Sequence, residues 1–333
     1  MHAATTCLVL AAALAGVGRP TSAQTTDIRS FRLSDSVLVI QDTLTSSNLT
    51  AVQLGGQLLL VDNFLYRSSM RSALRLLQQS FPGVPITHAI NSHGHDDQTW
   101  GNELLPTNAI IMGHMNTVRY MRERIAQMAE FVRRAPAAAT SLEDSLRLAV
   151  TDSARARMRT RAALIRTNLA LHGDVRITPP SVGVSQDTII TVGSAQVLIL
   201  TFQPAHTDGD VAVLVPSRRL LVVGDLAQPQ TVLGIDPAVG SPQAWIAALD
   251  RLIELATRHG VQYVVGGNRQ VGTPATMIET RTYFVDLIAA ISEARALGWT
   301  VDDVIASSQL RRYSHWSSYA EVHGSNVRTA WSR

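Results

Sequence analysis

Residues 91–102, NSHGHDDQTWGN, place His93, His95, Asp96 and Asp97 within five positions at the end of an apolar run. No other stretch of the chain crowds potential metal ligands so closely. Two imidazoles separated by one residue reach a single ion only if the backbone between them bends, and Gly94 sits at that point without a Cβ. A β-strand feeding a ligand-bearing loop is the context such spacing requires.

Working outward, the composition bounds the rest. With 333 residues, 46% hydrophobic and 17% charged, the chain can bury a large core and reads as one large domain or two small ones. A formal net charge of +3 is too small to argue for a nucleic-acid partner. All 29 basic residues are arginine, which by itself says nothing about partners. Residues 1–23 have the pattern of a secretory signal peptide: the apolar run Cys7 to Gly16, then Thr21-Ser22-Ala23 before Gln24. That run falls well short of the roughly 20 apolar residues needed to span a bilayer. The expectation is a mature chain of residues 24–333, periplasmic or secreted, with no integral membrane segment. Cys7 is the lone cysteine. Once the leader is removed no thiolate remains, so metal chemistry must use His, Asp, Glu and amides.

Strands are expected at 36–41, 50–54 and 57–62, punctuated by Gly55-Gly56 as a hairpin meander. Leucines at helical spacing predict a helix over 70–79, stopped by Pro82-Gly83, and the run 85–91 is the strand that delivers the opening motif. A further strand is expected at 109–112. From 114 to 172 the pattern becomes helical and Arg-rich, with a break expected at Pro136. This insert is open to two readings, a lid over the site or a solvated hairpin covering the core. Strands then resume at 187–192, 196–202, 210–215 and 219–223, followed by a helix over 241–259, a strand at 261–265 and helices over 273–297, 301–307 and 319–331. Two similar halves, each of strands followed by a helix, suggest two sheets packed face to face with helices outside.

Four more polar residues fall beside apolar runs: His206 in QPAHTDGD, Asp210 opening the next strand, Asp225 after LLVVG, and Asn268 after YVVGG. Residues at the ends of successive strands converge on one edge of a sheet. In order and spacing these motifs resemble the metallo-β-lactamase superfamily over nearly all of the mature chain. The first family motif, HxHxDH, matches His93, His95, Asp97 and Gln98. The second-motif histidine matches His206, the bridging carboxylate Asp225, and the last histidine Asn268.

The resemblance implies an α/β fold, a four-layer αββα sandwich of two mixed sheets with the 114–172 helices inserted. It also implies a zinc-dependent (Zn2+) hydrolase of a small-molecule substrate, with metal-activated water attacking an ester, thioester or amide carbonyl, a β-lactam included. The first metal position would take His93, His95 and His206. The second would take Asp97, Asp225 and two histidines that are here Gln98 and Asn268. Amides are poor zinc ligands, so one ion is expected, with Gln98 and Asn268 acting as hydrogen-bonding groups. Asp97, freed from a second metal, is then the candidate general base. Asp225 stands open between a carboxylate beside the ion and a fourth ligand that would close the site. Asp96, Asp208 and Asp210 are read as caps or as acceptors orienting the histidines, and His114, His172, His259, His315 and His323 as structural. A second class of function also fits, a member that has lost hydrolysis and keeps zinc as a pin in a binding protein.

Overall fold

The structure is a computed structural model and describes residues 27–146, 148–307 and 310–333; the leader assigned to 1–23 lies outside the described residues. Seven strands form one sheet in chain order: β1 (Ile28–Ser34), β2 (Val37–Asp42), β3 (Asn48–Leu54), β4 (Gln57–Val61), β5 (Ile86–Ile90), β6 (Ile110–His114) and β7 (Val182–Val184). Its first four strands are antiparallel neighbours and the rest pair in parallel. The second sheet comprises β8 (Thr188–Val192), β9 (Ala195–Thr201), β10 (Val211–Val215), β11 (Leu220–Gly224) and β12 (Tyr263–Gly266), in the order β12-β11-β10-β9-β8. Only β11 and β12 run in parallel there.

The helices are α1 (Arg67–Ser80), α2 (Asp96–Thr99), α3 (Met115–Ser145), α4 (Asp152–His172), α5 (Pro242–Arg258), α6 (Pro274–Ala296), α7 (Val301–Ala306) and α8 (Tyr319–Trp331). None of those described is long and apolar enough to cross a membrane.

Period-two side-chain placement explains the layering. In β2, Val37 and Val39 face the other sheet, whereas Leu38 and Ile40 pack in the layer under α1. In β10, Val211, Val213 and Val215 fill the space between the sheets, and Ala212 and Leu214 join the layer under α5, α6 and α8. Strands buried on both faces read as continuous apolar runs, which is why VLVIQ and VAVLV carry no polar alternation. The expected αββα sandwich of two mixed sheets is the observed fold.

Three local expectations need correction. The edge strand β1 was not expected, because IRSFRLS faces solvent along most of its length and its arginines break the apolar pattern. The three-residue β7 is too short for any periodicity to show. The expected break at Pro136 is absent: α3 continues through it to Ser145, with Ala135 and Ala139 buried on either side of the proline. Packing against α4 holds the helix together where a lost backbone bond would otherwise interrupt it.

Helix α5 buries Trp245, Leu249, Leu252 and Ala256 on one face, the i, i+4, i+7 stripe of an amphipathic helix. Ser241 caps its start through Ala244 N at 3.1 Å, with Pro242 in the first turn. Trp245 is fully buried and donates its indole N–H to Leu226 O at 2.8 Å, just past β11. Its truncation should leave a cavity and an unpaired carbonyl. Trp245→Ala is expected to cost about 3–5 kcal/mol in urea unfolding of the metal-free protein; a loss below about 1 kcal/mol would contradict its place in the core.

Candidate metal centre

Strand β5 delivers His93 and His95, and the loop after β9 delivers His206. His93 Nε2 lies 3.0 Å from His95 Nδ1, and His206 Nε2 lies 3.1 Å from the same atom. The rings meet edge-on, with centroids 4.6 to 4.9 Å apart and interplanar angles of 80 to 86°. Three nitrogens thus converge on one point. A four-coordinate zinc with Zn–N bonds near 2.0–2.1 Å holds its nitrogens roughly 3.3 Å apart, so the donor set and spacing fit such an ion. Burial, reinforced by the neighbouring imidazoles, holds the His93 pKa well below the ordinary value. Burial and then His206 bring His95 down to about 4. At neutral pH both rings therefore present lone pairs, the form a metal needs.

Each histidine is held from behind. Ser92 Oγ meets His93 Nδ1 at 3.0 Å, and Asp62 Oδ1 accepts the Ser92 backbone N–H at 2.7 Å. Asp62 is buried with φ +59°, and desolvation pushes its carboxyl up to about 8. His206 Nδ1 donates to Gly234 O at 2.8 Å, which leaves Nε2 as the lone-pair nitrogen. The Asp210 carboxylate accepts His206 N and Thr207 N at 2.9 Å and Thr207 Oγ1 at 2.6 Å, fixing the loop that carries His206.

The 231–235 segment is fixed in turn by α8. The fully buried Asn326 donates to Leu233 O at 2.8 Å and accepts Ile235 N–H at 2.9 Å, bracketing Gly234. Tyr283 OH lies 3.3 Å from the same amide. His206 also packs edge-on against Trp245, with ring centroids 5.9 Å apart.

Helix α3 bonds to both ligand-bearing loops. Arg124 pairs with Asp96 at 2.7 Å and Arg119 with Asp208 at 2.6 Å, while Asn116 donates to Asp208 O at 2.7 Å. Gly94 does not adopt a left-handed backbone; its missing side chain is required because a Cβ there would lie 2.8 Å from Tyr120 Cδ1 on α3. The reason given for Gly94 from sequence is thus corrected from bending to close approach. Trp100 is buried against Met121 and stacks edge-on with His172 at 5.1 Å.

The other predicted residues gather beside the histidines without joining the convergent nitrogens. Asp97 Oδ2 accepts Ser47 Oγ and Gln98 Nε2, each at 3.0 Å, and burial with nearby Asp225 raises its pKa. Asp225 Oδ1 accepts Gln228 Nε2 at 2.8 Å and Asn268 Nδ2 at 3.3 Å. Its Oδ2 lies 3.6 Å from His206 Nε2. Both amides, Gln98 and Asn268, therefore turn N–H groups toward carboxylates. Gly267 permits this crowding, since a Cβ there would lie 2.4 Å from Asp225 Oδ1 and 3.3 Å from Gln98 Nε2. A cleft of about 230 Å³ opens beside His206 and Asp225, walled on its apolar side by Val232, Leu233 and Val322.

Asp96 and Asp208 face α3 and not the histidine rings, and Asp210 holds backbone and a threonine hydroxyl. His114 accepts Asn116 N–H at 3.2 Å at the start of α3. Sequence reading missed Ser47, Asp62, Gln228 and Asn326 altogether. Asp62 had a signal in its place at the end of β4, a strand adjacent to β5; the other three act across distances that no local pattern marks.

A family model described as metallo-beta-lactamase superfamily matches residues 42–261, about two thirds of the chain, and the chain belongs to that superfamily. Among solved structures it is similar to a metallo-beta-lactamase from Pontibacter korlensis, at 15% identity and a TM-score of 0.56, over 78% of this chain and 99% of that one. It is also similar to the inverting sec-alkylsulfatase Pisa1 from Pseudomonas sp., at 16% identity and a TM-score of 0.67. That likeness extends over 92% of this chain but only 50% of the sulfatase, so the chain spans about half its length. DIM-1 metallo-beta-lactamase matches at 13% identity and a TM-score of 0.53, over 77% of this chain and 96% of that one. No curated protein sequence matches. The superfamily includes hydrolases, and His93, His95 and His206 could hold a metal ion.

Asn326 sits two steps from the convergent nitrogens, through Gly234 and His206. Asn326→Leu should free the Gly234 carbonyl and weaken zinc binding about 10- to 100-fold, read by competition with a chromogenic chelator. An unchanged dissociation constant would remove the clamp from the site.

Proposed function

We propose that the chain is an exported metal-dependent hydrolase, holding one zinc on His93, His95 and His206 and cleaving an ester, thioester or amide in a small molecule. The observation that carries this reading is the convergence of three imidazole nitrogens beside an open cleft. Export rests on the leader pattern in 1–23. Zinc in such a site supplies Lewis acidity and acidifies a coordinated water.

The chain's own groups do the remaining work. Asp97 is a buried carboxylate with its pKa raised, which makes it a stronger base than an exposed aspartate. Ser47 and Gln98 both bond its Oδ2, leaving Oδ1 to take the proton from water and return it to the leaving group. Asp225 lies beside His206 with Oδ1 fixed by Gln228 and Asn268, so its orientation is set before substrate arrives. Val232, Leu233 and Val322 offer an apolar wall to the body of the substrate.

A single ion follows from the donors present. Gln98 and Asn268 satisfy Asp97 and Asp225 with N–H groups, so hydrogen bonding replaces the cation that two imidazoles would have helped to hold. The likeness to an alkylsulfatase adds sulfate esters to the substrates worth testing.

The first test is metal analysis of protein purified without added metal, followed by turnover of carboxylic ester, thioester, lactam, phosphoester and sulfate ester panels. About one zinc per chain is expected, with His93→Ala losing most of the zinc and at least ~100-fold in kcat/KM. Zinc at full stoichiometry with no turnover in any class would instead make it a structural pin. A second test addresses the amides: Gln98→His combined with Asn268→His should raise zinc stoichiometry toward two, and an unchanged value would refute this account of the depleted half.

A further inference from the structure

The cleft beside His206 has a second wall that the hydrolytic reading leaves without a task. Arg269 contributes the one guanidinium among the described residues lining it, with Ser318 on the same lining. Its Nη2 lies 3.4 Å from Ser318 Oγ, and no carboxylate pairs with it among the described residues. The nearest acidic group lining the cleft, Asp225, already has its Oδ1 taken by Gln228 and Asn268.

The backbone beneath this arginine is held under constraint. Arg269 has φ +67°, a conformation that costs a branched or long side chain energy and persists only where its surroundings enforce it. The enforcement is visible. Arg269 N–H donates to Ser46 O at 2.7 Å, and its carbonyl accepts Asn48 Nδ2 at 3.0 Å and Gln41 Nε2. Across the cleft, Ser317 N–H donates to Gln230 O and Val232 N–H to Ser317 O, each at 2.9 Å. Six non-glycine residues among those described have positive φ, and four of them, Ser46, Gln230, Arg269 and Ser318, line or adjoin this cleft. Three distant parts of the chain are thus braced around one guanidinium and the Ser318 hydroxyl in the cleft that His206 lines.

We infer that Arg269, with Ser318, is a subsite for a compact oxyanion, a carboxylate or sulfate carried by the substrate. A planar guanidinium matches such a group through paired N–H bonds. Val232, Leu233 and Val322 suit a short apolar body attached to it. That the anion belongs to a substrate rests on the proposed hydrolase; the subsite itself does not.

The test is calorimetric titration of the whole zinc-loaded chain with hexanoate, hexane-1-sulfonate and the neutral hexan-1-ol. Arg269→Asn suits the left-handed backbone and removes the charge, and Arg269→Lys keeps the charge without the fork. In the wild type the anions should bind more tightly than the alcohol. Arg269→Asn should weaken an anion about 10- to 100-fold, with Arg269→Lys between the two, and leave alcohol affinity and zinc stoichiometry as they were. Loss for hexanoate alone assigns a carboxylate, loss for hexane-1-sulfonate alone a sulfate, and loss for both the shared oxyanion. Equal binding of alcohol and anions by the wild type overturns the subsite without recourse to a variant, as does full anion affinity in Arg269→Asn. Anion binding through Arg269 with no turnover of any ester would defeat the hydrolase and keep the subsite; turnover with no role for Arg269 in anion binding would do the reverse.

Discussion

His95 Nδ1 has two other imidazole nitrogens within about 3 Å, and the three cannot all point lone pairs at one another without cost. Either an N–H or a cation must lie between them, and burial disfavours the extra proton that would charge His93 or His95. The three donors could hold a metal ion, and the surrounding structure fixes their positions. Two sheets supply the ligands from their strand ends, α3 ties down both ligand-bearing loops, and α8 fixes the carbonyl that sets the His206 tautomer.

Beside this intact half, Asp97 and Asp225 would repel each other if both were ionised and unpaired. The chain relieves the repulsion with amide N–H groups from Gln98, Gln228 and Asn268 and the Ser47 hydroxyl. Gln98, Gln228, Asn268 and Ser47 thus form one hydrogen-bonded support for two carboxylates. The room at Gly267 lets those groups approach, and the cleft lined by Asp225 also reaches His206.

Much of this was legible from residue order. Apolar runs such as VLVIQ, VAVLV and LLVVG are strands buried on both faces, and Asp42, Asp210 and Asp225, each beside one of these runs, mark strand ends. The two sheets, the outer helices and the convergence of His93, His95 and His206 follow from that pattern. What stayed hidden depends on partners far away in sequence. Pro136 would break an isolated helix, and only α4 reveals why α3 continues. Gly94 reads as a bend until Tyr120 is seen lying against it. Asn326 carries no motif, and its role exists only because two backbone groups on either side of Gly234 face it.

Asn326 lies in the last helix described, whereas the histidines it helps to orient enter the chain at residues 93, 95 and 206. During synthesis all three imidazoles emerge before their final support does. The nascent chain can gather its ligands early, but His206 acquires a fixed tautomer only when the C-terminal helix docks. Fixing the third imidazole is therefore a late step in folding, coupled to the docking of α8 and not to the appearance of the ligands.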